Sequence, residues 1–322
     1  MPATYIIGID LGGTNIKGGV FDADRRLLLR RSIATEADRG FEHVFDRLVG
    51  LIRELIREAG LKPEHVRGLG LGTPGPLSHR RGFIYGSPNL PGWRNIPLRQ
   101  RLQAALNLPV VLDNDANVAA LGEFVAGAGR GTRHMVMLTL GTGIGGGVIT
   151  DSRLLRGHYE NAGELGHTIV YPGGEPCPCG QNGCLERYAS ANAVGRRAAE
   201  AIRLGEASTL VTPLRQHGRL TSRDVVEAVR ARDALACRVW DEACEALAIG
   251  CVNFQHTLNP QRVVLGGGMA NAGALLIERV REKLTALSWN LFNDRPDVVL
   301  AECGEDAGII GAAALAETSD AG

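Results

Sequence analysis

The sequence has no excess of either charge, because 35 Lys and Arg residues are balanced by 35 Asp and Glu residues. Without a basic surplus, a general nucleic-acid-binding surface is not expected. The charged fraction of 22% is close to the ~25% that is usual in globular proteins, which argues against a disordered chain.

Long hydrophobic runs are also absent. The most apolar segment, 135–149, contains five glycines, and no segment reaches the ~18 apolar residues needed to cross a bilayer. The first ten residues lack the basic region of a secretory signal. These absences predict a cytoplasmic protein that does not span a membrane.

Glycine is plentiful, with 43 of 322 residues, roughly twice its ordinary ~7% share. A strand-like run at 5–9 leads into the turn 10–14, and a second run at 134–140 leads into the turn 141–147. The longer segments that contain these turns, 11–20 and 140–148, both start with Leu-Gly and close with Gly-Gly-Val. This repetition indicates an internal duplication, and at ~150 residues per domain the length also suggests two domains.

Hydrophobic periodicity outlines an α/β protein with mixed sheets and a cleft between its two halves. We expect helices at 41–59, 118–126, 272–287 and 307–316, strands at 66–71, 109–112, 263–265 and 298–301, a mostly helical region over 186–260, and an irregular glycine- and proline-rich loop over 82–97.

The glycine turns do not fit the common nucleotide fingerprints. Gly141, Gly143 and Gly146 satisfy G-x-G-x-x-G, but a strand rather than a helix follows. Gly19 stands where a Walker motif requires lysine. Bare amides in a hairpin can still bind phosphate oxygens. Two such hairpins predict a clamp for a polyphosphate tail, with simple turns as the alternative.

A polar cluster follows the strand at 109–112. Asp113, Asn114, Asp115 and Asn117 lie where a strand gives way to a helix, which is the edge where open α/β sheets expose their chemistry. Any of the four could instead cap the helix. Residue chemistry alone does not separate a catalytic base from a cap.

Three cysteines and a histidine lie within 18 residues: His167, Cys177, Cys179 and Cys184. One nitrogen and three thiolates suit a closed tetrahedral zinc site with no position left for water, hence a structural one. Free thiols are the alternative. Three further cysteines repeat every seven residues at 237–251, about 10 Å apart along a helix and too far apart for one ion.

Taken in order, segments 10–14, 114–115, 140–147, 163–167 and 177–186 closely resemble the ROK family of bacterial sugar kinases and repressors. The resemblance covers nearly the whole chain. It implies an actin-like, hexokinase-like (ribonuclease H-like) fold of two duplicated α/β domains, ATP with Mg²⁺, a structural Zn²⁺, a homodimer, and phosphorylation of a hexose at its 6-hydroxyl. Segment 87–93 favours the glucokinases of that family, and therefore glucose.

The resemblance also implies a division of the chain and a role for each matching residue. The smaller domain is expected to comprise 1–117 plus 308–322, and the larger one, with the zinc loop and a helical insertion, 118–307. Asp115 resembles the catalytic base. The remaining expected contacts are Gly75, Asn89, Asn114, Glu164, His167 and Glu186 to the sugar, Asp10, Gly12, Gly13, Thr14, Lys17, Gly141, Thr142 and Gly143 to the phosphates, and Gly266, Gly267 and Gly268 to the adenosine.

Some of these roles have ordinary alternatives. Glu164 could be an ordinary solvated residue, His167 a histidine satisfied within the core, and Glu186 a residue at the N-terminus of a helix. Lys17 is equally suited to an exposed strand. His167 appears in both the zinc set and the sugar set, which is permissible because one ring nitrogen can bind zinc while the other bonds a hydroxyl.

Three other functions fit parts of this sequence. A sugar-responsive repressor of the same family would carry a helix-turn-helix domain before the first glycine turn, and only four residues precede Tyr5. A zinc hydrolase needs an open metal position. Polyphosphate remains an alternative donor, and N-acetylglucosamine, N-acetylmannosamine, fructose and allose remain alternative acceptors, because selectivity depends on how the pocket treats the 2-substituent.

Overall fold

The computed structural model describes residues 4–87, 89–289 and 294–318. The ends of the expected smaller domain, 1–3 and 319–322, and Pro88 of the segment 87–93 lie outside the described residues. The strands are β1 (Tyr5–Leu11), β2 (Asn15–Phe21), β3 (Leu27–Ala34), β4 (Val66–Thr73), β5 (Leu77–Ser78), β6 (Phe83–Gly86), β7 (Arg94–Ile96), β8 (Val110–Asn114), β9 (Met135–Leu140), β10 (Ile144–Thr150), β11 (Arg153–Leu154), β12 (Arg262–Gly266) and β13 (Asp297–Leu300).

The helices occupy the segments between these strands and after them. They are α1 (Phe41–Glu58), α2 (Leu98–Leu106), α3 (Asp115–Ala126), α4 (Glu186–Ala189), α5 (Ala191–Arg203), α6 (Val211–His217), α7 (Ser222–Arg230), α8 (Ala234–Leu258), α9 (Ala274–Leu287) and α10 (Ala307–Thr318). Short 3₁₀ turns precede β4, α9 and α10, and one covers Leu165–His167.

Two five-stranded sheets with one topology form the framework. The N-terminal sheet has the order β3-β2-β1-β4-β8, and the C-terminal sheet has the order β11-β10-β9-β12-β13. In each, the first three strands in sequence are antiparallel neighbours and the last two pair in parallel. The expected internal duplication is therefore confirmed.

Apolar stripes place the helices on these sheets. In α1, one face from Phe41 to Ile56 is buried, and it packs with the apolar side chains of β1, β2 and β4 into one core. The helix ends before Gly60, whose φ of +67° suits glycine and turns the chain away. A second core joins α5, α7, α8 and α9 to β9 and β12.

Helix α10 packs on the N-terminal sheet at very short range. A side chain at Gly8 of β1 would come within 2.0 Å of the Ile309 carbonyl oxygen, and one at Gly70 of β4 within 1.7 Å of that of Ala312. Only glycine therefore permits this close contact between strand and helix. Since α10 also packs on α3, the chain's last helix lies between the N-terminal sheet and the helix that follows β8.

Three sequence expectations need correction. Segment 82–97 is not wholly irregular, because β6 pairs with both β5 and β7 in a small antiparallel sheet. The helix expected from 118 begins at Asp115, and the one expected from 272 begins at Ala274 after a 3₁₀ turn. Within the described residues, no helix combines the length and apolarity needed to cross a membrane.

Candidate functional site

The junction of β8 and α3 shows which of the clustered polar residues caps the helix. Asn114 is the N-cap residue of α3, and its Oδ1 accepts hydrogen bonds from the backbone amides of Ala116 at 2.9 Å and Asn117 at 3.4 Å. Because the side-chain oxygen is occupied by the cap, the Nδ2 group of Asn114 remains as the donor toward a ligand.

Asp113 is buried, and its carboxylate is fully hydrogen-bonded within the protein. Its side chain is 1% exposed and accepts from the Arg156 Nε at 2.6 Å, from Asn117 Nδ2 at 3.0 Å and from the Asn114 amide at 2.8 Å. A carboxylate with three donors is satisfied and inaccessible. Of the two aspartates, Asp115 is therefore the one left for chemistry.

Asp115 lies on the wall between two cavities. The first cavity, of about 610 Å³, holds most of the residues expected to contact a sugar. Its lining includes Gly75, Asn89, Asn114, Asp115, Gly141, Thr142, Gly143, Glu164, His167 and Glu186. These polar groups are drawn from both halves of the molecule.

The second cavity, of about 530 Å³, is lined by Asp10 and Lys17 of the first hairpin and by Gly266, Gly267 and Gly268. It shares Asp115, Ala116, Thr139 and Gly267 with the first cavity. A ligand in each cavity would therefore meet its neighbour at Asp115.

The electrostatics of Asp115 suit a base. Desolvation by the surrounding protein is the main cause that raises its pKa to about 6, and the nearby charges of Asp10 and Glu164 add to it. Desolvation likewise raises the pKa of Asp10, against the opposing charge of Lys17. A carboxyl group with a pKa near the working pH is the form that general-base catalysis favours.

Glu186 is fixed by the second glycine turn. Its Oε2 accepts from the Ile144 backbone amide at 2.8 Å. A Cβ at Gly143 would lie 2.2 Å from the same oxygen, so glycine is required there for this approach. The carboxylate is held at the rim of the first cavity with Oε1 as its second acceptor atom.

The expected zinc ligands converge. The donor atoms of His167, Cys177, Cys179 and Cys184 all lie within 4.8 Å of one another, with Cys177 Sγ 3.6 Å from His167 Nδ1. This spacing and the one-nitrogen, three-thiolate donor set fit tetrahedral Zn²⁺. Since Nδ1 faces the thiolates, Nε2 is the ring nitrogen left for a ligand in the first cavity.

Most of the first glycine turn lines neither cavity, although its Asp10 lines the second one. Gly12, Gly13 and Thr14 line neither of them in the described part of the chain, and a Cβ at Gly13 would contact Asn89 at 3.1 Å. Lys17 lies 3.5 Å from Glu305. The clamp formed by two facing hairpins therefore stays a prediction.

Several lining residues were not singled out from the sequence. The first cavity also contains Pro74, Pro76 and Glu160, and the second contains Asn271, Glu305 and Gly308. For Glu160 a signal existed, since it lies between Gly157 and Gly163 just before Glu164. The Asn271 and Glu305 positions depend on the folding of distant segments, which no local pattern reveals.

Comparison with known proteins gives consistent matches. The ROK family model matches residues 6–319. A glucokinase of Thermotoga maritima is 38% identical over 98% of both chains. Among solved structures, a ROK hexokinase from Thermus thermophilus aligns with a TM-score of 0.83 and 37% identity over 98% of this chain and 99% of that one. A ROK family glucokinase from Streptomyces griseus, in complex with glucose and AMPPNP, gives 0.82 and 32% over the same shares.

Proposed function

The chain belongs to the ROK family, and we propose that it is a glucokinase that transfers the γ-phosphoryl group of ATP to the 6-hydroxyl of glucose. The observation that carries the proposal is the position of Asp115 on the wall common to the two cavities. Its glucokinase relative from Thermotoga maritima supports glucose as the acceptor.

Glucose fits the chemistry of the first cavity. A hexose presents several hydroxyls, each of which both donates and accepts hydrogen bonds. The cavity offers the Asn114 amide as a donor, the carboxylates of Glu164 and Glu186 as acceptors, and the free nitrogen of His167. We assign these groups, with Asn89 and Gly75, to the sugar.

The transfer itself is an in-line displacement. The 6-oxygen of glucose forms a bond to the γ-phosphorus while the bond from that phosphorus to the ADP oxygen breaks, and Asp115 accepts the hydroxyl proton. The protein otherwise positions the reactants. The Asn114 amide would hold the acceptor beside the base, and we assign the second glycine turn to the phosphate oxygens.

We place the nucleotide in the second cavity, with its adenosine along Gly266, Gly267 and Gly268 and its phosphates toward Asp10, Lys17 and Thr142. Gly12, Gly13, Thr14, Gly141 and Gly143 complete the proposed phosphate contacts. Carboxylate oxygens are the ligands that Mg²⁺ prefers, and the crowded carboxylate of Asp10 fits that ion. Bound there, Mg²⁺ would neutralise charge on the phosphates.

We assign the cysteine and histidine cluster a structural Zn²⁺. Within the loop from Tyr171 to Gly183 the backbone forms one isolated bridge, between Pro176 and Asn182, and a second bridge joins Ile169 to Cys184 at the base of the loop. A metal that cross-links it replaces the apolar core that it lacks. Through His167 the same ion orients a group of the first cavity.

The remaining features of the proposal concern the whole protein. We propose a cytoplasmic homodimer whose smaller domain comprises 1–117 and 308–322. The packing of α10 on β1 and β4 supports the return of the C-terminal segment to the N-terminal half.

A coupled assay of ADP release tests the function. Purified protein receives ATP and Mg²⁺ with glucose, N-acetylglucosamine, N-acetylmannosamine, fructose or allose, and a parallel series replaces ATP by inorganic polyphosphate. We expect the highest kcat/KM with glucose and ATP, and glucose 6-phosphate as the product. Absence of any sugar phosphate would refute the kinase proposal, and a higher kcat/KM for another sugar would refute the choice of glucose.

A further inference from the structure

One segment of the C-terminal half crosses to the N-terminal half beside the first cavity. We call residues 155–164 the strap. It begins at the edge of the C-terminal sheet, where the Leu155 amide bonds to the Val148 carbonyl at 2.8 Å. It ends at Glu164, which lines the first cavity. Between these points it contacts the N-terminal half at two places.

The first contact is an ion pair inside the protein. Arg156 Nε donates to Asp113 Oδ2 at 2.6 Å, and the side chain of Arg156 is only 26% exposed. The other oxygen of Asp113 accepts from the Asn114 amide and from Asn117 Nδ2. The strap is thus attached to the residue that precedes the helix cap and Asp115 itself.

Among the described residues, Asp113 has no second cationic partner besides Arg156 at neutral pH. His79 Nδ1 lies 3.5 Å from Asp113 Oδ2, but burial and the charge of Arg156 lower the pKa of His79. His79 is therefore neutral at pH 7 and bonds through Nδ1 to the Leu112 carbonyl at 2.9 Å. Arg156 is left as the charge partner of Asp113.

The second contact reinforces the first. The carboxylate of Glu160, whose side chain is 9% exposed, accepts from Ser78 Oγ at 2.6 Å and from Arg80 Nε at 2.6 Å. Ser78 and Arg80 belong to the small sheet of the N-terminal half and its adjoining turn. The strap is therefore held at two points across the cleft.

The strap's own backbone transmits this attachment to Glu164. The Ala162 amide bonds to the Arg156 carbonyl at 3.0 Å, which closes a loop whose turn uses Gly157 at φ +71°. At its end, Gly163 at φ +96° packs beside Gly146 and Asn117. The position of Arg156 therefore constrains the backbone position of Glu164.

We propose that Arg156 is a positioning residue for the kinase reaction. Through Asp113 it holds the strap, and with it the sugar-binding Glu164, in register with Asn114 and Asp115. This inference rests on the proposed function. It implies that the sugar contacts of the two halves are assembled as one unit before the nucleotide binds.

The test compares Arg156→Gln with Arg156→Lys in the full chain. Loss of the guanidinium frees the strap, so Arg156→Gln is expected to raise both the KM and the calorimetric Kd for glucose about 10-fold, because Glu164 is then no longer held where its carboxylate bonds a sugar hydroxyl. The KM for ATP should change less than twofold. Arg156→Lys, which keeps the charge, should recover part of the glucose affinity.

Two further variants control for stability. Leaving Asp113 buried without its partner is costly, so Asp113→Asn with Arg156→Gln removes both charges and is measured in the same way if the single variant is insoluble. Asp241→Asn is the matched control, since Asp241 pairs with Lys283 at 2.7 Å away from both cavities. It should lower the melting temperature without changing the glucose KM.

The outcomes distinguish this inference from the function on which it rests. An active wild-type enzyme whose folded Arg156 variants keep the wild-type Kd for glucose overturns the positioning role alone. Equal increases in the KM for glucose and ATP also overturn it, because they indicate a general loss of structure. A wild-type protein that phosphorylates no hexose overturns the proposed function instead.

Discussion

Asp10 and Asp115 lie at the carboxyl ends of β1 and β8 in the same sheet, and the charge of Asp10 helps to raise the pKa of Asp115 to about 6. Both residues line the second cavity. Asp115 therefore lies next to the proposed phosphate and magnesium site. The negative charge of Asp10 raises the pKa of Asp115 before any substrate binds.

A pH profile should report this coupling. Because the base acts only when ionised, kcat/KM for glucose is expected to rise with pH through about 6 in the wild-type enzyme. Asp10→Asn removes one charge that disfavours ionisation, so the rising limb should shift to lower pH even though the maximal rate falls. Glu64→Gln, on the surface, is the control and should leave the limb in place. A limb that does not move in Asp10→Asn would contradict the coupling.

The role of the base is tested directly by Asp115→Asn. The substitution keeps the shape of the side chain but removes the proton acceptor, so we expect kcat to fall on the order of 10²-fold or more. Glucose binding, measured by calorimetry without ATP, should change little because the other polar groups of the first cavity remain. A variant that retains near wild-type kcat would rule out Asp115 as the base.

The same variant should be more stable than the wild type above pH 6. The pKa of Asp115 is about 6 in the folded protein, against 3.8 for an unperturbed aspartate. The cost of ionising it in the folded state therefore builds up between pH 3.8 and about 6 and is complete above pH 6. Removing it stabilises by at most about 3 kcal/mol at pH 8, at about 1.4 kcal/mol for each pH unit that separates the two pKa values. Thermal melts at pH 8 and pH 4 should show a higher melting temperature only at pH 8.

The sequence predicted the duplication and the local motifs, because these depend on short-range chemistry. The turn at 141–147 and the four zinc ligands each lie within a short stretch of sequence. Their residue types limit the structures that these stretches can adopt. The choice among Asp113, Asn114 and Asp115 could not be made in the same way, since it depends on Arg156, 43 residues away. Only the folded chain shows that Arg156 donates a hydrogen bond to Asp113, whereas Asp115 lines the two cavities.

The small sheet of β5, β6 and β7, of which the last two strands lie within 82–97, was missed for a related reason. Its strands are two to four residues long, too short for an alternating hydrophobic pattern to be recognised. They form because β6 can pair with both neighbours once the surrounding core has placed them together. That sheet and its adjoining turn supply Ser78 and Arg80 to the strap, so the contacts of Glu160 could not be foreseen either.

Glycine at position 143 should be essential for sugar binding. A methyl group there would lie 2.2 Å from Glu186 Oε2, so Gly143→Ala must displace the carboxylate and break its bond to the Ile144 amide. We expect the KM for glucose to rise by about 10-fold or more, in line with the loss of a charge-assisted hydrogen bond. Steady-state kinetics over glucose concentration at saturating ATP measures the effect.

Gly50→Ala is the matched control for that experiment. It introduces the same methyl group on α1, outside both cavities, where no described atom lies within 4 Å of the added carbon. Its KM for glucose should therefore stay within about twofold of the wild type, since an added atom in open space causes no strain. Equal effects of the two substitutions would show that the loss of affinity does not depend on Glu186.

Zinc should determine both the order of its loop and the affinity for glucose. Cys179 is the exposed member of the cluster, so Cys179→Ser removes a thiolate while adding little strain. We expect the zinc content, measured by mass spectrometry, to fall well below one ion per chain, and cleavage within 171–183 by protease to accelerate, because the metal replaces a core there. The KM for glucose should rise, since His167 is no longer oriented. Cys237→Ser, outside the cluster, should keep the metal and the affinity. A Cys179→Ser protein that loses zinc yet binds glucose like the wild type would show that His167 reaches the sugar without the ion, or does not contact it at all.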